Sequence, residues 1–67
     1  MSVPHVWHLN TIGNTASKTN GEMAWVEGNN DTEQYDIIHE SDGIKTVVDS
    51  AETDREARVK LKEFISQ

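Results

Sequence analysis

The sequence is poor in the residues that staple or anchor a small protein: its 67 residues include no cysteine, one proline and four aromatic side chains. The lack of cysteine excludes disulfide bridges, thiol nucleophiles and thiolate metal sites. No apolar run approaches the roughly 20 residues that a membrane-spanning helix needs. The first residues lack the basic and apolar regions of a signal peptide, so we expect a cytoplasmic protein.

The length allows one hydrophobic core. A chain of 67 residues hides only about 60% of the surface that its unfolded form exposes, which leaves little stability to spare. Small domains without disulfides often gain the missing stability from a partner or from a second copy of themselves. We therefore expect one domain, and a homodimer is one way to complete it.

Acidic residues outnumber basic ones by twelve to six, giving a net charge of -6. The charges are unevenly placed, because residues 1–53 contain only Lys18 and Lys45 as bases and the other four bases follow residue 53. Such a body should repel nucleic acid and anionic membranes and attract a basic protein surface. The alternative is that the acids only keep the protein soluble.

The N-terminal third is the least regular part of the sequence. Residues 1–12 are predicted to form an N-terminal arm or edge strand, because one face would carry Val3, His5, Trp7 and Leu9. Pro4 suits an edge position, where no backbone donor is needed. Residues 13–21 (GNTASKTNG) are small or polar between two glycines and are predicted to be a flexible loop. Residues 22–67 then form a single domain.

Three short strands are predicted in that domain. Residues 22–27 (EMAWVE) form the first, with Trp25 expected in the core beside Leu61 and Phe64. Residues 34–41 and 44–51 form a hairpin, because the Asp42-Gly43 pair between them favours a two-residue type I′ turn.

That turn predicts a register in which Glu40 faces Lys45, Ile38 faces Val47 and Asp36 faces Asp49. One face of the hairpin would then show an apolar centre surrounded by acids. Like charges directly opposite each other on neighbouring strands cost up to about 1 kcal/mol. Either the register differs from this one, or a contact compensates for the repulsion between the aspartates. That contact is a partner or dimer surface, or the N-terminal arm covering this face through Trp7 and Leu9.

The C-terminal segment is predicted to be a helix. Thr53 and Glu56 have the spacing of a capping box, which marks the helix start. One apolar stripe is formed by Ala57, Leu61, Phe64 and Ile65. The prediction is thus an α+β fold of order β-β-β-α, in which one helix packs on a three-stranded antiparallel sheet that can gain a fourth strand at its N-terminus.

This order of elements, over about residues 22–66, resembles the topology of AP2-like and integrase arm-binding DNA modules. Those modules read DNA through a sheet lined with arginine and lysine, whereas the predicted strands here contain Lys45 among many acids. No residue role is carried over from them. The hairpin-plus-helix ending is also similar in style to small phage and mobile-element proteins.

No arrangement in the sequence indicates catalysis or a cofactor. His5 and His8 would point to opposite faces of a strand, so no metal site is predicted. No nucleophile with a base and an oxyanion hole is recognisable near Ser41, Thr46 and His39, and we expect a protein that is not an enzyme.

The leading hypothesis is a small acidic protein-binding module, an inhibitor or adaptor of a phage or mobile element that occupies a basic surface of a host protein by nucleic-acid mimicry. The predicted contact residues are Asp36, Ile38, Glu40, Val47, Asp49 and Trp7. A structural protein that assembles with itself is the main alternative. A weaker one is nucleic-acid binding through Arg55, Arg58 and Lys62 on the helix.

Overall fold

The structure, a computed structural model, describes residues 6–67 and contains one antiparallel sheet and one helix. Neighbouring strands of the sheet are also consecutive along the chain. In chain order the elements are β1 (His8–Leu9), β2 (Thr15–Ser17), β3 (Met23–Asn29), β4 (Gln34–Ser41), β5 (Ile44–Ala51) and α1 (Asp54–Ile65). The α+β class is as predicted, but the sheet is not.

The prediction of three strands, with a fourth allowed, is wrong because the sheet has five. β1 lies within residues 1–12, where a fourth strand was allowed, and β2 is the further strand, inside the segment predicted to be a flexible loop. The part of the predicted N-terminal strand that contains Val3, Pro4 and His5 lies outside the described residues. Composition did not reveal β2, because its three residues are small or polar and show no apolar alternation. Its partners in β1 and β3 are near neighbours in the sequence.

Local hydrogen bonds turn the chain between β1 and β2. The Asn10 side-chain oxygen accepts from the backbone N–H groups of Gly13, Asn14 and Thr15 at 2.8, 3.0 and 3.2 Å. This turn brings Leu9 of β1 opposite Ala16 of β2. On its other side Ala16 lies opposite Ala24 of β3, and both alanine side chains are buried. Asparagine side chains commonly organise turns in this way.

The predicted hairpin turn between β4 and β5 is confirmed. Asp42 and Gly43 both have positive φ, at 55° and 79°, as a type I′ turn requires. Near the turn the register is also as predicted, because Glu40 pairs with Lys45 and Ile38 with Val47.

The register changes farther along the hairpin, so the predicted opposition of Asp36 to Asp49 is wrong. A β-bulge at Val48 gives β5 one extra residue, and Asp36 pairs with Ser50 instead. The shift lets Ala51 enter the core, where it is 5% exposed. It also moves Asp49 to the helix side of the sheet, where its Oδ1 lies 3.4 Å from Lys60 Nζ. The two aspartates are therefore on opposite faces.

The helix forms where it was predicted, with Thr53 as its N-cap. The Thr53 hydroxyl accepts from the Glu56 backbone N–H at 3.1 Å. The helix packs across β3, β4 and β5 through the fully buried Ala57 and Leu61. The core cluster beneath it is completed by Ala24, Ile37 and Ala51, with Trp7, Leu9, Val26, Tyr35, Phe64 and Ile65 packed around its margin.

Among the described residues no helix is both long enough and apolar enough to cross a membrane.

Replacing Gly43 by valine should destabilise the hairpin. A Cβ at this position meets no atom within 4 Å, so the cost comes from the backbone, which a β-branched residue rarely adopts at φ 79°. We expect a loss of about 1–3 kcal/mol in the free energy of unfolding, measured by chemical denaturation. Gly43→Asn is the control and should lose less, because asparagine tolerates this conformation. Equal stability of all three proteins would contradict the type I′ turn.

Replacing Thr53 by alanine removes the acceptor for the Glu56 N–H. We expect the free energy of unfolding to fall by about 1 kcal/mol, seen as a lower midpoint in thermal denaturation. Thr53→Ser keeps the hydroxyl and should retain most of the stability. If Thr53→Ala and Thr53→Ser melted together at the wild-type temperature, the cap would contribute nothing.

Candidate interaction surface

One face of the sheet is covered by α1, and within residues 6–67 no element covers the other. We call this second face the open face and define it by the side chains that the strand registers place there. They are Met23, Trp25 and Glu27 of β3, Asp36, Ile38 and Glu40 of β4, and Lys45, Val47 and Ser50 of β5.

An apolar row crosses the middle of the open face. Trp25 pairs with Ile38, and Ile38 pairs with Val47 on its other side. Ile38 is 7% exposed although it does not belong to the core cluster under α1. Its neighbours are more accessible, since Val47 is 57% and Met23 37% exposed. The row is therefore a small second apolar cluster, in which Ile38 is covered by its neighbours and Val47 stays accessible to solvent.

Trp25 occupies this row and not the main core, so its predicted packing beside Leu61 and Phe64 is wrong. Residues alternate between faces along a strand, and the flanking Ala24 and Val26 are the ones that face the core. The Trp25 ring instead meets the ammonium of Lys45, whose Nζ lies 5.7 Å from the ring centroid. Such a cation–π contact is consistent with a ring whose face is accessible to solvent.

Acidic side chains flank the apolar row on both sides. Glu27 lies directly opposite Asp36, and Glu40 pairs with Met23 on one side and Lys45 on the other. Asp36 also accepts a hydrogen bond from the Asn29 side-chain amide at 3.1 Å. Two carboxylates on opposed positions repel each other, so this pair costs stability in the free protein.

The predicted contact residues divide between the two sides of the sheet. Asp36, Ile38, Glu40 and Val47 lie together on the open face, whereas Asp49 lies on the helix side. Trp7 is half-buried at the margin of the core, with its ring 6.2 Å from that of Phe64. Both residues outside the open face thus have packing or pairing roles within the chain.

Sequence reasoning missed Met23, Trp25 and Glu27 as open-face residues. The alternation in residues 22–27 separated the two faces correctly, but the larger side chains were assigned to the core. The signal that could have reversed this choice is Ala57 on the helix stripe, because a small residue there favours small partners such as Ala24 across the helix–sheet contact.

A polar cluster lies at the other side of the sheet, beside Trp7 and Phe64. The Glu22 carboxylate accepts from the Asn20 amide at 2.6 Å, is bonded to His39 Nε2 at 2.9 Å, and lies 3.5 Å from Lys18 Nζ. The bonds from Asn20 and His39 and the charge of Lys18 lower the pKa of Glu22 to about 2. Glu22 thus ties the β2–β3 connection to β4.

Basic side chains gather at one place only in the described chain. Arg55, Arg58 and Lys62 line a shallow depression with the exposed Ile12 and Val59. Arg58 is already engaged, because its Nε lies 3.1 Å from Asp54 and its Nη1 donates to the Ile12 carbonyl at 3.3 Å. This leaves two unengaged cations on a chain with a net charge of -6.

Within residues 6–67 no three histidine, aspartate or glutamate side chains come together as a metal site would require. Comparison of the chain with protein-family models, with curated proteins and with solved structures gives no match. The function must therefore be argued from the surface itself.

The low pKa of Glu22 predicts how stability changes with acid. Because the folded pKa of about 2 lies below the ordinary value of 4.5, ionised Glu22 stabilises the fold above pH 4.5, and this contribution is lost as the pH falls from 4.5 toward 2. We expect Glu22→Gln to lower the melting temperature at pH 7 and to flatten its fall between pH 4.5 and 2. The exposed Glu52 provides the control variant Glu52→Gln. A slope unchanged by Glu22→Gln would contradict the assignment.

Proposed function

We propose that this chain is a non-enzymatic protein-binding module that uses the open face to occupy a basic surface of another protein. The observation that carries the proposal is the apolar row of Trp25, Ile38 and Val47, which no described element covers and which carboxylates flank. A buried apolar centre with a polar rim is the usual anatomy of a protein–protein contact. Tryptophan is among the residues that most often dominate the binding energy of such contacts.

The charge of the rim supports a basic partner. The open face has three carboxylates against Lys45, and that ammonium is directed toward Trp25. Asp36 and Glu40 are four residues apart on β4, which corresponds to about 13 Å along the strand. Carboxylates held at fixed spacings on a rigid sheet can take the place of phosphates in the nucleic-acid groove of a host enzyme. The roles of inhibitor or adaptor, the phage or mobile-element origin and the cytoplasmic location belong to the same proposal.

The opposed pair of Glu27 and Asp36 also favours binding over a purely structural role. The repulsion between the two carboxylates lowers the stability of the free protein, and a basic partner that neutralises them removes this cost. A surface kept only for solubility gains nothing from placing them directly opposite each other. Nucleic-acid binding through Arg55 and Lys62 remains the weaker prediction, because the net charge of the chain opposes it.

Removing one of the opposed charges should have two effects of opposite sign. We expect Glu27→Gln to raise the free energy of unfolding by about 0.2–1 kcal/mol and to weaken binding to the partner, more at low than at moderate salt. Asp49→Asn is the matched control, because it removes a carboxylate from the other side of the sheet and should leave partner binding intact. A destabilised Glu27→Gln variant, or one that binds undiminished, would contradict the proposal.

The contact can be located directly with a photo-crosslinking amino acid. Placed at Val47 on the open face, it should join the partner in a host lysate, and duplex DNA should compete if the carboxylates take the place of phosphates. Placed at Val59, which is similarly exposed on the helix, it should not. Crosslinks from Val59 alone would move the binding surface to the helix.

A further inference from the structure

The sheet has one long unprotected edge. Its first strand, β1, has two residues, whereas β5 at the other edge has eight. Long edge strands pair readily with other chains, and most proteins prevent this pairing with proline, charged residues or a bulge in the edge strand. In β5 there is no proline, and Ile44, Val47 and Val48 are 69%, 57% and 38% exposed.

The two charged residues of β5 are both directed away from the edge. Lys45 reaches across the open face to the Trp25 ring. Asp49 is held on the helix side by Lys60 at 3.4 Å and by the backbone N–H of Ser50 at 2.8 Å. The bulge at Val48 follows the first four residues and leaves residues 44–47 regular. The one charged side chain of this stretch, Lys45, is therefore directed away from an approaching strand.

The turn decides which backbone groups of β5 are free. In a two-residue hairpin the residues next to the turn, Ser41 and Ile44, exchange backbone hydrogen bonds, and bonded and non-bonded pairs alternate from there. Ile44 and Thr46 thus bond to β4, whereas the N–H and C=O groups of Lys45 and Val47 point outward. These outward groups need a partner strand or water.

We propose that β5 pairs antiparallel with β5 of a second copy of this chain, about a two-fold axis at Thr46. In this register Lys45 lies opposite Val47 of the second copy, so the outward backbone groups of each copy bond to those of the other. Ile44 lies opposite Val48, and Thr46 faces its own counterpart. All these pairs place side chains of the same face together, which joins the two sheets into one of ten strands with a continuous open face.

A second copy suits this edge better than a foreign strand, because the edge is complementary to itself. Because of the two-fold axis, the contact between the exposed Ile44 and Val48 forms twice in the dimer. Each Lys45 lies opposite a valine and not opposite the other lysine. The net charge of -6 opposes self-association elsewhere, but residues 44–48 carry no acid. With about five paired residues a copy, the interface is small, so the dimer should be weak and dependent on concentration.

The test is sedimentation velocity from micromolar to millimolar protein, with hydrogen exchange at Lys45 and Val47. We expect the mass to double with concentration and the amides of these two residues to become protected as it does. Ile44→Lys should stay monomeric, whereas Val59→Lys, the same change at an exposed helix position, should dimerise like the wild type. A wild-type protein that stays monomeric at millimolar concentration would overturn the proposal.

A charge exchange tests the register. Thr46→Lys and Thr46→Glu each place like charges at the two-fold axis and should be monomeric alone, with circular dichroism showing the native fold. Mixed together, they should form a one-to-one dimer by native mass spectrometry. Failure of the mixture to dimerise, or dimers of either variant alone, would exclude this register. These substitutions leave the open face unchanged, so the outcome is independent of partner binding there.

Discussion

The close packing of α1 on the sheet is the constraint on which the rest of the structure depends. Ala57 and Leu61 of the helix are fully buried against Ala24, Ile37 and Ala51. Small residues on both sides let the helix approach the strands closely. Because the gap between the two layers is narrow, few large side chains are needed to fill it and exclude water. Aromatic residues then pack around its margin, among them Trp7 and Phe64.

This contact determines what each face of the sheet is used for. Once Ala24 faces the helix, Trp25 must face the opposite side, because neighbouring residues of a strand alternate. Once Ala51 enters the core, β5 needs the bulge at Val48, and Asp49 moves to Lys60. The packing that completes the core thus also places the apolar row on the open face. It separates Asp36 from Asp49, which were predicted to lie opposite each other.

Because α1 covers only one face of the sheet, two surfaces remain that the described chain does not use for its own folding. The open face is broad, apolar at its centre and acidic at its rim, which suits a basic protein. The β5 edge is narrow, neutral and rich in exposed aliphatic residues, which suits a strand. Pairing at the edge does not cover the open face. The two proposed contacts are compatible, and a dimer would present two copies of the partner surface side by side.

The elements that depend on local chemistry could be predicted from a few neighbouring residues. The Asp42-Gly43 turn needs two residues at positive φ, and the helix start needs the Thr53 hydroxyl, so both are encoded within a few residues. Four residues of the predicted contact surface, Asp36, Ile38, Glu40 and Val47, followed from that turn. The formation of β2 could not be predicted because the strand has no apolar pattern of its own, although its partners are near it in the sequence. The faces taken by Trp25 and Asp49 follow from the packing of the sheet against a helix that is distant in sequence. In β5 a single extra residue is enough to reverse the face of every side chain beyond it.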